Sequence, residues 1–262
     1  MSLVGINTCV YMDELSSGVP QAELLPRIAE LGLTLAEARR EFIASDAEYD
    51  AIARAARDLG LTMFLSIPES LTLQGAPHPK LEQFLSEAER MGAVRVKFNQ
   101  GDVKDVSARV LADIDAAGRA HGIALTIEND QTLENGTLAC TKASLENIAS
   151  KKSDIGYTFD VGNWCWRGED PSEAFDQLLD RITVFHLKDV AGAAARAASI
   201  QVEAIDGAAA QAQQPRTTML DGGDIDWRAM LARLDSDVPV LLEFPIPAGD
   251  VAGQVTLVRN AR

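Results

Sequence analysis

Short apolar runs alternate with longer amphipathic runs along the whole chain, and this alternation constrains the fold more than any other feature. The short runs are apolar at odd and even positions alike, as parallel strands covered on both faces must be. Between them apolar residues recur at helical spacing, as at Leu24, Ile28 and Leu31. The pattern therefore predicts eight parallel strands joined by helices. The predicted strands are residues 3–9, 33–38, 61–67, 93–99, 123–128, 155–160, 182–187 and 238–244.

Eight such units are typical of a closed (β/α)8 TIM barrel, an α/β fold that usually takes about 250 residues. The chain has 262 residues, so we expect one barrel domain over 1–262. An open, doubly wound sheet is the competing architecture, but residues 10–18 lack the GxGxxG turn that dinucleotide-binding sheets carry after their first strand. We expect a short final helix after Pro247 and a helix over 226–234. A long segment, 190–224, follows the seventh strand. We interpret it either as a lid over the barrel mouth or as a partly helical insertion.

Composition excludes several classes of protein. The chain has 24 Lys and Arg against 39 Asp and Glu, a formal charge of −15. A field of this sign repels phosphate backbones and anionic lipid, so we expect neither nucleic acid nor a membrane as partner. Three scattered cysteines, Cys9, Cys140 and Cys165, form no disulfide framework. Together with the lack of a secretion signal or a long apolar run, they predict a cytoplasmic protein.

Charged side chains stand at the C-terminal ends of four consecutive predicted strands, where buried strands normally end in apolar residues. Glu128, Asp160, His186 and Glu243 occupy these positions on strands five to eight. The strands of a barrel end at one rim, so the four side chains should converge. Each alone is explained by a salt bridge or a core histidine. Together, the three carboxylates repel one another and cannot share a small volume with the imidazole unless a cation lies between them, so we predict a divalent metal site. The donors favour Mn²⁺ over Mg²⁺, Co²⁺ and Zn²⁺.

These residues and their order resemble the xylose isomerase-like barrels of the sugar phosphate isomerase and epimerase branch. The resemblance includes a DxGN turn at 160–163, an HxKD stretch at 186–189, GDIDW at 223–227 and EARRE at 37–41, and spans essentially the whole chain. It implies one divalent metal held by Glu128, Asp160, His186 and Glu243. It also implies that Glu128 and Glu243 are the catalytic acid/base pair of an isomerase or epimerase in carbohydrate metabolism. The substrate would be a small carbohydrate or polyol that reacts through an enediolate-like intermediate.

The chain departs from the epimerase pattern at two positions. Asn163 stands where sugar epimerases commonly have a histidine, and Gly192 stands where they often have arginine. An amide can hydrogen-bond a hydroxyl group but cannot relay a proton. A metal-dependent dehydratase of an inosose- or keto-acid-type substrate therefore stays open, as does a non-catalytic sugar-binding barrel. A trinuclear endonuclease IV site needs several histidines, and the chain has three.

Six further rim residues are candidates for substrate contact. Lys97 either reaches a substrate oxyanion or pairs with Glu128. Lys188 either contacts substrate or neutralises the carboxylates. Glu37 and Arg39, after strand two, either contact substrate or form a salt bridge at the barrel mouth. Trp164 either contacts substrate or packs within its loop. The six candidates are Lys97, Asn163, Lys188, Glu37, Arg39 and Trp164. Phosphorylation of the substrate and assembly into a homo-oligomer stay open.

Overall fold

Eight parallel strands close into a barrel. The structure is a computed structural model and describes residues 3–132, 135–192 and 215–262. The strands follow chain order around the barrel, and the last pairs with both the seventh and the first. The predicted (β/α)8 barrel is therefore confirmed. The strands are β1 (Val4–Asn7), β2 (Leu35–Arg39), β3 (Thr62–Ser70), β4 (Ala93–Asn99), β5 (Ala124–Glu128), β6 (Gly156–Asp160), β7 (Ile182–Leu187) and β8 (Val240–Leu242).

Helices cover the outside of the barrel with their apolar faces inward. The buried side chains of the helix Gln21–Glu30 include Leu24 and Ile28, two residues of the predicted apolar stripe. No helix in the described ranges is long and apolar enough to cross a membrane. The helices are α1 (Gln21–Glu30), α2 (Asp46–Leu59), α3 (Leu81–Met91), α4 (Ala108–Ala120), α5 (Leu138–Ser150), α6 (Pro171–Leu178), α7 (Trp227–Arg233) and α8 (Val251–Ala261). A short helix, Met12–Ser16, precedes α1.

Several observed strand bounds differ from the predicted ones. β3 runs on to Ser70 because, after a register shift, that residue pairs with Asn99 of β4. β8 ends early at Leu242, although the Glu243 N–H still donates to the Leu187 carbonyl oxygen. The ends of the predicted 190–224 segment form an antiparallel pair, Asp189–Ala191 with Arg216–Thr218. The lid or insertion predicted there falls largely on 193–214, outside the described residues.

An apolar layer inside the barrel forms the floor of the C-terminal mouth. Leu35, Phe64, Val184 and Leu241 make a buried cluster separate from the larger core between strands and helices. Side chains two positions apart on a strand share a face. Three of these residues therefore share the face of a charged residue nearer the rim: Leu35 with Glu37, Val184 with His186, and Leu241 with Glu243.

We predict that Gly5→Ala destabilises the barrel wall. A methyl group on Gly5 would lie 2.7 Å from both the carbonyl oxygen and Cγ of Leu35 on the neighbouring strand. Such overpacking costs about 1–3 kcal/mol in the free energy of unfolding, to be measured by denaturant titration. Gly249→Ala is the control, because no atom lies within 4 Å of the added methyl group. Equal stability of the two variants would contradict the close strand contact.

Candidate metal centre

The C-terminal ends of β5 to β8 bring the four predicted ligands together. Glu128 and Asp160 are the last residues of their strands, His186 lies in β7, and Glu243 directly follows β8. The strand register pairs Asp160 with His186. One potential ligand atom from each residue lies within 4.8 Å of the others, and all four side chains are buried.

One nitrogen of the His186 imidazole faces both Glu128 and Glu243. This atom, Nδ1, is 2.7 Å from Glu128 Oε1 and 3.2 Å from Glu243 Oε2. On the other side of the ring, Nε2 is 3.0 Å from Glu37 Oε2, although the N–H direction is not aligned for a hydrogen bond. The oxygens that face the centre of the cluster are therefore Oε1 of Glu128 and Oε2 of Glu243.

Asp160 is oriented by the turn that follows its strand. Its Oδ1 accepts hydrogen bonds from the backbone N–H groups of Gly162 and Asn163, at 2.9 and 3.0 Å. These bonds leave Oδ2 to face the cluster. That atom has no aligned hydrogen-bond donor, although Lys188 Nζ lies 2.6 Å away. The DxGN turn thus fixes which oxygen is available to a cation.

Three basic side chains offset the acidic cluster. Lys97 Nζ lies 2.6 Å from Glu128 Oε2, which is the pairing that the sequence left open. Lys188 Nζ is 3.3 Å from Glu243 Oε2 in addition to its contact with Asp160. Arg39 Nη1 approaches Glu243 Oε1 at 3.4 Å. The carboxylates therefore lie in a largely paired but crowded environment.

The crowding shows in the pKa values. Burial raises the pKa of Asp160 well above its ordinary value; Lys188 opposes this rise, and the charges of Glu243 and Glu128 add to it. Burial also works against the charged form of Glu243, but His186 and Lys188 outweigh it and hold the pKa of Glu243 well below its usual range. Against the same opposing burial, Lys97 lowers the pKa of Glu128. A cation at the centre would favour the charged form of Asp160.

The donor set fits a divalent metal. It comprises three carboxylate oxygens and one imidazole nitrogen, all buried and within 4.8 Å of one another, and the inward oxygen of Asp160 lacks an aligned donor. Hard oxygen donors with one imidazole suit Mn²⁺ and Mg²⁺, and also accept Zn²⁺ and Co²⁺. A buried acidic and histidine cluster of this kind could bind such an ion.

Glu37 faces the back of the imidazole rather than the cavity. Its Oε2 accepts a 2.7 Å hydrogen bond from Asn7 Nδ2 and lies 3.0 Å from His186 Nε2. A carboxylate behind a ligating histidine fixes the ring orientation and raises its basicity. Sequence reasoning offered Glu37 as a substrate contact or a salt-bridge partner and missed Asn7, which is the last residue of β1.

A cavity of about 370 Å³ opens above the cluster, and its lining includes Glu128 and Glu243. This volume lies within the range of small-molecule sites. The lining contains four of the six residues proposed for substrate contact: Arg39, Lys97, Asn163 and Lys188. Glu37 and Trp164 are not among the lining residues. The Trp164 ring is fully buried, and its centroid lies 5.7 Å from that of the Phe159 ring. This matches the alternative in which Trp164 packs within the protein.

The family model described as "Xylose isomerase-like TIM barrel" matches residues 25–256. The chain belongs to the xylose isomerase-like TIM barrel family. The resemblance found in the sequence is thereby confirmed. No curated protein matches the chain in sequence.

Solved structures show the same fold at low sequence identity. The probable 3-DHS dehydratase AsbF from Bacillus anthracis is 17% identical with a TM-score of 0.68, and the alignment covers 100% of both chains. The 3-keto-D-glucoside 4-epimerase YcjR from E. coli is 13% identical with a TM-score of 0.69, covering 99% of this chain and 100% of that one. A xylose isomerase-like TIM barrel protein from Mycobacterium smegmatis, in complex with magnesium, is 16% identical with a TM-score of 0.68, covering 100% and 96%. Proteins described as a probable dehydratase and as an epimerase therefore share this barrel fold.

Cys9 lines the cavity, and we predict that it resists alkylation in the folded protein. Burial, followed by the charge of Glu243, raises the pKa of its thiol to about 12. Burial likewise raises the pKa of Cys165 to about 12. The thiolate is the reactive form, and at pH 8 it is about one part in ten thousand of such a thiol. Iodoacetamide followed by mass spectrometry should label the half-buried Cys140 first. All three cysteines should react after denaturation, and native labelling of Cys9 as fast as Cys140 would contradict the prediction.

Proposed function

We propose that the chain is a divalent-metal-dependent isomerase or epimerase of a small carbohydrate or polyol. The observation that carries this proposal is the position of two buried glutamates, Glu128 and Glu243, which belong to the candidate metal cluster and also line the cavity. Family membership supports a sugar isomerase or epimerase, and the structural neighbours include a keto-glucoside epimerase and a D-psicose 3-epimerase.

Glu128, Asp160, His186 and Glu243 would hold the ion, with Mn²⁺ preferred over Mg²⁺, Co²⁺ and Zn²⁺. When bound, the ion supplies Lewis acidity that polarises a substrate carbonyl and lowers the pKa of the neighbouring C–H group. Glu37 Oε2 lies behind the imidazole of His186, 3.0 Å from Nε2, and supports the ring through charge rather than through an aligned hydrogen bond. Two hydrogen bonds from backbone N–H groups to Oδ1 orient Asp160.

The two glutamates move the proton. Neighbouring positive charges lower the pKa of both Glu128 and Glu243, so both are carboxylates able to accept a proton from carbon. The electron pair of the broken C–H bond moves onto the carbonyl oxygen of the substrate. The glutamate that took the proton is now a glutamic acid and can return it to the neighbouring carbon, giving an isomer. For an epimer, the glutamate on the opposite face first takes a proton from solvent and gives it to the other face of the same carbon, while the first glutamic acid releases its proton to solvent. No oxidant or reductant is needed.

Basic and amide groups around the cavity would orient the substrate. Lys97, Lys188 and Arg39 can donate to hydroxyl groups and to the oxygen that gains charge. Asn163 is fixed in place, because its Nδ2 donates to the Asn129 carbonyl oxygen at 2.9 Å and its Oδ1 accepts from Gln131 Nε2 at 3.0 Å. It can bind a hydroxyl group without exchanging a proton.

This property of Asn163 favours a second candidate function, a dehydratase. After the same C–H deprotonation, the substrate would expel a β-hydroxyl group as water, and no side chain at position 163 would need to relay a proton. One structure that aligns over the full chain is a probable 3-DHS dehydratase. An inosose or a hydroxylated keto acid would be the substrate class.

We predict that Glu128→Gln and Asp160→Asn lower metal content and stability together. Each change removes a charged donor, and metal binding stabilises only the folded protein. Metal content falls below the wild-type value of about one ion per chain in elemental analysis, and the midpoint of thermal unfolding falls with it. Asp130→Asn is the control, because Asp130 lines the cavity but lies outside the cluster. Wild-type metal content in both ligand variants would contradict the assignment.

We also predict the fate of the substrate hydrogen in deuterated water. A panel of ketoses, keto acids and inososes incubated with the metal-loaded protein should contain one that gains deuterium beside its carbonyl carbon. Retention of mass apart from the label identifies the isomerase or epimerase, and loss of one water identifies the dehydratase. Glu243→Gln should slow label incorporation by about 10²- to 10⁴-fold, because the proton acceptor is lost. Binding without exchange or turnover for every compound would indicate a non-catalytic barrel instead.

A further inference from the structure

Lys188 contacts the same two oxygens that a metal ion would need. Its side chain is 10% exposed and extends from the end of β7 towards the centre of the cluster. The ammonium nitrogen lies 2.6 Å from Asp160 Oδ2 and 3.3 Å from Glu243 Oε2. Oδ2 is the inward oxygen of Asp160, because the turn holds Oδ1, and Oε2 is the Glu243 oxygen nearest His186 Nδ1, at 3.2 Å.

Lys97 is related to the cluster in a different way. Its ammonium nitrogen lies 2.6 Å from Glu128 Oε2, whereas the oxygen of Glu128 that faces His186 is Oε1. Lys97 therefore supports a ligand from outside the cluster and leaves its inward oxygen accessible. The two lysines carry the same charge, are both buried and each contact a predicted ligand. They differ in which side of the ligand they contact.

The position of the Lys188 side chain is built into the neighbouring turn. A methyl group on Gly162 would overlap Lys188 Cγ and lie 2.8 Å from Lys188 Cδ. The φ angle of Gly162 is −83°, which other residues adopt readily, so its glycine is needed here for space rather than for backbone freedom. The DxGN turn thus fixes Asp160 and also makes room for the lysine that contacts it.

We propose that Lys188 competes with the divalent ion, holding Asp160 and Glu243 together until the ion binds and moving away from them when it does. The inference rests on the proposed metal site. Two cations cannot share the same buried pair of oxygens, because their repulsion at such distances is strong in a poorly hydrated environment. Lys188 already lines the cavity. The displaced ammonium group is then free to bind an oxygen of the substrate, so metal loading prepares the cavity for substrate.

The test is calorimetric titration of Mn²⁺ into the full chain after removal of metal by a chelator. Lys188→Met should lower the Mn²⁺ dissociation constant by about tenfold or more, because the competing group is gone. Lys97→Met is the matched control, since it removes an equal charge from the outer side of a ligand, and it should lower the constant by a clearly smaller factor. An equal increase in Mn²⁺ affinity in the two variants would mean that removal of any nearby positive charge is sufficient. That result would overturn the proposal that Lys188 competes with the ion.

Thermal unfolding gives a second readout that does not depend on activity. Without metal, Lys188→Met should unfold at a lower temperature than the wild type, because Asp160 and Glu243 lose their counter-ion. Saturating Mn²⁺ should restore the wild-type metal-loaded midpoint in this variant. It should leave a deficit in Lys97→Met, where the outer oxygen of Glu128 stays unpaired. If Lys188→Met does not fold without metal, Lys188→Gln retains a hydrogen-bond donor and replaces it in both experiments.

The outcomes separate this inference from the function on which it rests. Tight Mn²⁺ binding by the wild type, with equal or weaker binding by both position-188 variants, overturns the competition and leaves the metal site in place. Failure of the wild type and of every variant to bind Mn²⁺, Mg²⁺, Co²⁺ or Zn²⁺ overturns the metal site, and the competition with it.

Discussion

Compensation of buried negative charge is the constraint on which the mouth of this barrel depends. Barrel closure brings four carboxylates into one buried rim: Glu37, Glu128, Asp160 and Glu243. An unpaired buried charge costs several kcal/mol, so each must have a partner. Lys97, Lys188, Arg39 and His186 provide partners at 2.6–3.4 Å. The arrangement nevertheless leaves the pKa of Asp160 raised. A divalent ion at the centre of the cluster would offset the negative charge that these partners leave.

The barrel holds these groups rigidly from below and from behind. The apolar layer of Leu35, Phe64, Val184 and Leu241 fills the interior beneath the rim. Behind the imidazole, the pair of Asn7 and Glu37 supports the ring orientation. Functional groups on strands are held more precisely than groups on loops, and their supporting contacts fix the geometry before substrate arrives. The residues that would do the chemistry therefore need little rearrangement, apart from the movement proposed for Lys188.

The fold was largely predictable from sequence because the period of apolar residues reports burial directly. Residues 93–99 and 182–187 were predicted as strands and are strands with the same bounds. β3 is longer than predicted because its end is set by a register shift, which is a property of the partner strand that the sequence of β3 does not carry. Bounds of this kind depend on tertiary pairing.

The candidate ligands were predictable for a related reason. Buried strands normally end in apolar residues, and here four consecutive strands end in charged or imidazole side chains at the same rim of the barrel. What the sequence does not determine is the direction in which a long side chain extends. Glu37 was offered as a substrate contact or a salt-bridge partner, and Lys188 as a substrate contact or a neutraliser of the carboxylates. In the structure Glu37 faces His186 Nε2, and Lys188 reaches Asp160 and Glu243, so the second alternative describes both contacts. Asn7 was missed because an uncharged amide at the end of a strand does not stand out as a buried charge does.

Diffraction from crystals soaked in Mn²⁺ tests the central claim most directly. An anomalous difference map should contain one strong peak about 2.2 Å from the inward atoms of Glu128, Asp160, His186 and Glu243. Such a peak, with Lys188 Nζ moved away from Asp160 Oδ2, is the result expected here. A map with no peak among these residues, or with the ion bound elsewhere while the four side chains keep their present partners, would contradict the account.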